Sequence, residues 1–225
     1  MSAECSGKVT LTFDNGPTPE VTPGVLDVLE ARGLSACFCV VGRQLARSGE
    51  HADVCRETLR RGHLLVNHSL THKVPLGDDP SARHASAEIL EMHALMDTQL
   101  GPWGERWFRP FGGGGLLGPH LLSEPACDVL ARAGYSVLLW NCVPRDWEDP
   151  QGWPREVENW LQTNQRHMVL VLHDLPTGAM QQLPEFLDDM LERGFEFTLT
   201  LPSDCIPMQR GEPNWPQSEF ARVVT

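Results

Sequence analysis

No stretch of the chain stays apolar for the roughly 18 residues that a membrane-spanning helix requires, and the amino-terminal MSAECSGK has no apolar core of the kind a secretory leader carries. Basic residues are scarce too: 18 Lys and Arg stand against 30 Asp and Glu, a formal net charge of -12. Nucleic acids and anionic membranes are bound by clustered cations, so this balance excludes both as partners and leaves a small-molecule or neutral oligomeric ligand. CxxC pairs are absent from the seven cysteines, Cys5, Cys37, Cys39, Cys55, Cys127, Cys142 and Cys205. Cys37 and Cys39 share one face of a strand pattern, but a single intervening residue is not a zinc-finger spacing. An odd, scattered set reads as buried, reduced thiols, and with no leader the expected location is the cytoplasm. Internal repeats and low-complexity segments are also missing.

What is present is a regular alternation. Strand-like runs recur at 9–13, 36–41 (ACFCVV), 63–67 (HLLVN), 106–109, 135–140 (YSVLLW), 168–172 (MVLVL) and 195–201. Helical patterns lie between them. The first opens at Thr22-Pro23, carries Val25, Leu26 and Leu29 on one face and closes at Gly33; others fall at 53–61, 81–100, 124–133, 154–163 and 179–193. Strand, helix and Gly in succession are the signature of parallel βα units. Seven such units in 225 residues predict an α/β fold, a single domain built as a closed or nearly closed (β/α)7 barrel over about 8–202, with an open sheet between two helical layers as the alternative. The Pro-rich residues 203–225 read as an extended surface segment.

A parallel barrel puts its chemistry at the carboxyl ends of the strands. Those ends carry polar groups that a core does not favour: Asp14-Asn15 after strand one, NHSLTH after strand three, Arg109 in FRPFGGGG, PRDW after strand five and His173-Asp174 after strand six. The structural alternative for Asp14-Asn15 is an Asx-turn before a helix. His68 and His72, four apart, would share one face of a helical turn and could hold one cation, given a further protein ligand. Arg109 is either a surface charge or a fixed cation for a carboxylate such as Asp14. The glycines after Phe111 leave backbone N–H groups free for a ligand. His173, where an apolar strand meets solvent, is a candidate proton donor. Trp147 and Trp153 in WEDPQGW are either a sugar platform or loop packing, and His51, His84, His120 and His167 read as surface residues.

In order and approximate spacing, TFDNGP, HSLTH, RPFG, PRDW and LVLHD resemble the five motifs of the polysaccharide deacetylase family, carbohydrate esterase family 4 or the NodB-homology domain. The resemblance implies a deformed (β/α) barrel that removes acetyl groups from amino sugars with a divalent metal, usually zinc. By motif position it assigns Asp14 as catalytic base, Arg109 as its tether and His173 as general acid. It makes His68, His72 and Asn15 the metal ligands, the Phe111 N–H an oxyanion donor, and Trp147 and Val171 the walls of the acetyl-methyl pocket.

Two positions depart from the family pattern. Asn15 stands where the family has a metal-binding Asp, which trades an anionic ligand for a neutral carbonyl oxygen. Val143 stands where motif four has an Asp that orients the general acid, so His173 is expected to be less basic unless Asp146 or Asp174 substitutes. Three functions fit these losses: a metal-dependent N-deacetylase, a metal-independent hydrolase of cyclic amides or imides, and a sugar-binding pseudoenzyme.

Overall fold

The computed structural model of the chain describes residues 7–116, 118–164 and 167–214. Cys5 and the end of the C-terminal segment, 215–225, lie outside the described residues. In chain order the elements are β1 (Gly7–Asp14), α1 (Thr22–Glu30), β2 (Cys37–Val40), α2 (Gly42–Leu45), α3 (Gly49–Arg60) and β3 (Leu64–Asn67). Helix α4 (Ala82–Ser86) runs through a π turn (Ala87–Glu91) into α5 (Met92–Leu100). There follow β4 (Trp107–Phe108), α6 (Glu124–Arg132), β5 (Ser136–Val137), α7 (Trp153–Thr163), β6 (Met168–His173), α8 (Leu183–Glu192), β7 (Phe195–Phe197), β8 (Met208–Gln209) and β9 (Glu212–Pro213). No helix among the described residues is long and apolar enough to cross a membrane.

All seven expected strands form. Six pair in parallel in the order β6-β1-β2-β3-β4-β5. The ring closes through the segment after β5, where Cys142 forms an isolated parallel bridge with Leu170 and the Asn141 side chain takes the Val169 N–H. β7 pairs only with Gly7–Val9, the start of β1, on the edge that β2 occupies further along. The result is a deformed (β/α)7 barrel rather than an open sheet. Residues 203–214 are not simply a surface strap, because Met208 of β8 pairs antiparallel with Val137, and Cys205, Ile206 and Met208 are buried.

Period-two alternation assigns the two faces of the strands. Val9, Leu11 and Phe13 point to the helices, Phe13 stacking on Phe38 at 5.0 Å between centroids. Thr10, Thr12 and Asp14 point inward, level with Cys37 and Cys39 of β2 and Val169, Val171 and His173 of β6. These small inner residues leave room for one long side chain, the fully buried Arg109. Helix α1 buries Thr22, Val25, Leu26 and Leu29 as its spacing requires. Trp153 is also in the core, fully buried and donating Nε1–H to the Ala179 carbonyl, so it forms no sugar platform. The four histidines read as surface residues are each at least half-buried; His51 is buried beside Ser48, and His167 bonds Thr10.

Candidate active site

Strand β1 delivers Asp14 into the mouth of the barrel and stops there, because Asn15 turns the chain with φ 76°, a left-handed conformation that Asn tolerates better than most residues. The next residue must be Gly: a Cβ on Gly16 would lie 2.5 Å from the Asp174 carboxylate. The Asx-turn alternative is not what forms, since Asn15 Oδ1 is buried and makes no hydrogen bond among the described residues. Asp14 Oδ2 accepts from Arg109 Nη1 at 3.3 Å and lies 3.6 Å from His68 Nε2, while its Oδ1 makes no hydrogen bond with a nitrogen or oxygen among the described residues. Burial raises the Asp14 pKa, but the Arg109 charge, with help from the neighbouring imidazoles of His68 and His173 and a hydrogen bond from Cys39, outweighs it, and the carboxyl is held below its ordinary value. Arg109 is thus a buried counter-ion and not a surface charge. It also lies 5.2 Å from the Trp140 ring centroid.

His68 and His72 come together without the expected helical turn. Ser69 and His72 have φ of 72° and 52°, and the loop is tied by Gly42 N–H to Ser69 O and Arg43 N–H to Leu70 O. The two rings are nonetheless 4.8 Å apart, and His72 stacks on Phe111 at 3.9 Å. His68 Nδ1 must carry the proton, because its partner at 2.8 Å is the Arg109 carbonyl, which only accepts. That leaves Nε2 with a free lone pair towards Asp14. Burial lowers the pKa of both rings, that of His72 to about 3, so both are neutral near pH 7.

On the opposite wall His173 Nδ1–H donates to Asp146 Oδ1 at 2.8 Å, and Asp146 Oδ2 accepts the His173 backbone N–H at 2.9 Å. Asp146 is fully buried. Burial lowers the His173 pKa, yet the hydrogen bond and charge of Asp146, with smaller help from Asp14 and Asp174, raise it overall. Of the outcomes left open at Val143, the structure shows the one in which Asp146, three residues on, serves as the carboxylate partner, so the loss of basicity does not occur. Asp174 takes another role, buried against Thr22 Oγ1 with a pKa pushed up to about 7 by desolvation.

Asp14, Asn15, His68, His72, Phe111, Trp147, Val171 and His173 all line one open cleft of about 380 Å³, with Arg109 behind it. Trp147 meets His173 edge-on at 4.8 Å. The Phe111 N–H makes no hydrogen bond among the described residues. The Gly112–Gly115 loop, Val143 and Leu175 also line the cleft, together with Trp140, to which the sequence did not point because only the fold brings it there.

The family model for polysaccharide deacetylases matches residues 2–138. A chitooligosaccharide deacetylase from Bradyrhizobium sp. (strain ANU 289) is 31% identical over 167 residues, 74% of this chain and 70% of that protein. The chain belongs to the polysaccharide deacetylase family. Deacetylases of this family hydrolyse amide C–N bonds, and the family is generally dependent on a divalent metal. Among solved structures, a family 4 carbohydrate esterase from Streptomyces lividans, in complex with acetate, has a TM-score of 0.70 at 22% identity, covering 92% of this chain and 99% of that one. A family 4 pseudoenzyme from Bacillus anthracis has a TM-score of 0.69 at 15% identity, covering 87% and 64%. The fold is therefore shared by proteins with and without activity, and the argument for function rests on side chains.

The residues present fit a divalent cation. Among the described residues no cluster of three or more His, Cys, Asp and Glu side chains is arranged to hold one. Two neutral imidazoles and Asn15 Oδ1, an amide oxygen that makes no hydrogen bond among the described residues, nevertheless line the same cleft, next to an anionic Asp14.

Proposed function

We propose that the protein is a divalent-metal N-deacetylase of an acetylated amino sugar or oligosaccharide, with zinc as the metal held by His68, His72 and Asn15. The observation that carries this reading is the pairing, across one cleft, of a carboxylate held ionised by a buried Arg109 with a histidine held basic by a buried Asp146. Two titratable groups whose pKa values are pushed apart in this way suit the roles of base and acid. When bound, the metal would polarise the acetyl carbonyl and acidify water.

Asp14 takes the proton of the attacking water as its oxygen adds to the acetyl carbon. Arg109 keeps that carboxylate oriented and ionised. The Phe111 N–H donates to the carbonyl oxygen as negative charge gathers on it. His173, with Nδ1 occupied by Asp146, uses Nε2 to give its proton to the leaving nitrogen, the C–N bond breaks, and acetate and an amine depart. Trp147 and Val171 flank the acetyl methyl. Cys37, Cys39, Cys55, Cys127 and Cys142 are free and buried, in keeping with the reducing, cytoplasmic setting we propose.

The neutral Asn15 favours one second reading, a metal-independent hydrolase of cyclic amides or imides. Chelator dependence separates the two. Acetate release from an N-acetylglucosamine oligomer that stops with a chelator and returns with zinc supports the first reading. Hydrolysis of a cyclic imide that ignores the chelator would replace it, and no turnover of either substrate would leave a binding protein.

A further inference from the structure

The loop that carries His68 and His72 hangs from one irregular turn of a neighbouring helix. Glu88, 3% exposed, accepts the Thr71 N–H at 2.9 Å through Oε2 and the Thr71 hydroxyl at 2.7 Å through Oε1. Its backbone carbonyl accepts the Leu70 N–H at 3.0 Å. The next carbonyl, Ile89, accepts from Asn67 Nδ2 at 3.0 Å, and Asn67 Oδ1 in turn holds the Ser69 N–H. Both carbonyls belong to the π turn Ala87–Glu91, whose wider winding takes backbone groups out of the regular α ladder. No Pro or Gly lies in AEILE to force that irregularity. It coincides instead with these outside partners.

We propose that Glu88 is a positioning residue for the histidine pair. Its buried carboxylate fixes Thr71, and through Thr71 the neighbouring His72 ring, in the geometry that sets the affinity of the cleft for a divalent cation. The proposal rests on reading that cleft as a cation site. A bland reading makes Glu88 a tie between helix and loop that could sit anywhere. Against it, both hydrogen bonds of the carboxylate end on the residue next to His72, in a loop whose Ser69 and His72 hold left-handed conformations that non-glycine residues keep only when the surroundings impose them. A buried carboxylate is costly unless its oxygens are bonded, and these are bonded to a single residue.

The test compares wild type, Glu88→Ala, Glu88→Gln and Thr71→Val. Zinc affinity is read by competition with a chromophoric chelator. In the metal-free proteins, the rate of His72 carbethoxylation by diethyl pyrocarbonate is read by peptide mass spectrometry. Glu88→Ala is expected to weaken zinc binding by about 10–100-fold, the usual cost of losing a partner that orients a ligand. It should also label His72 several-fold faster, because the ring leaves its stack on Phe111. Glu88→Gln keeps an oxygen for the Thr71 N–H and is expected to restore most of both. Equal zinc affinity and equal labelling in a folded Glu88→Ala, with only thermal stability lowered, would overturn the proposal. If Glu88→Ala does not fold, Thr71→Val decides by the same two readouts, with unchanged values again overturning it. If wild type takes no zinc, the cation-site reading fails, and the metal-free labelling rates alone decide the positioning role.

Discussion

Replacing Asp146 with Asn tests whether the cleft makes its own acid. The carboxylate touches His173 twice, at Nδ1 and at the backbone N–H, and it is the main influence opposing the burial that would otherwise make the imidazole a weak base. Asn keeps an oxygen for Nδ1–H, so the ring stays in place while one buried negative charge disappears. An opposite charge at this distance is worth about 1–3 pKa units, so the His173 pKa should fall by that amount. The proton donor is then lost earlier as pH rises. The alkaline limb of kcat/KM should move down by about 1–3 units, with about a tenfold loss of rate for each unit it moves, at any pH above the wild-type value, each unit being 1.36 kcal/mol. The acidic limb, set by Asp14, should stay. The backbone N–H loses its acceptor, at a cost of roughly 1–3 kcal/mol in stability. The assay is acetate release across the pH range, with Asp174→Asn as a control, since that carboxylate is engaged with Thr22 and should shift the limb less. An unmoved alkaline limb in Asp146→Asn would refute the reasoning.

Three further outcomes follow from the same geometry. Asn15→Asp restores an anionic ligand and should tighten zinc binding at least roughly tenfold, because charge-charge attraction is added at contact distance; isothermal titration showing unchanged affinity would mean that position 15 does not face the ion. Arg109→Met leaves Asp14 buried without its counter-ion and should lower stability by about 3–5 kcal/mol in urea unfolding, against no change if the pair were dispensable. His63, 5% exposed, accepts the Ala36 N–H at Nδ1, and burial followed by the Arg61 charge lowers its pKa from 6.5 to about 4. Between those values the unfolded chain binds a proton that the folded one does not. Stability should therefore fall as pH drops through this window, by up to about 3 kcal/mol, and His63→Gln should flatten that part of the profile.

The strand ends were readable because a polar residue closing an apolar strand has few structural uses, and Asp14, His68 and His173 all meet in one cleft with Arg109 buried behind it. The route by which His68 and His72 meet was not readable. Spacing alone suggests a helical turn, whereas hydrogen bonds to Gly42, Arg43 and Glu88, distant in sequence, hold a left-handed loop. The partner of His173 was ambiguous for a similar reason. Asp146 and Asp174 are both near the motif residues, and only the direction of the chain after β5 turns one towards the imidazole and leaves the other under Gly16. Glu88 gave no signal at all, since a Glu in a helical pattern reads as solvent-facing until the loop that covers it is known. Barrel closure through Cys142, and the docking of β8 on β5, depend on single pairings too short to leave a periodic trace.

The central claim is that Asp14 is the base of an N-deacetylase. The most direct measurement is acetate and free amine released in equal amounts from an N-acetylglucosamine oligomer by the zinc-supplemented wild type and by folded Asp14→Asn. The account predicts turnover by wild type and a loss of several orders of magnitude in the variant, which stays folded but loses stability because Arg109 is left without its buried counter-ion. Comparable rates from the two proteins would contradict it.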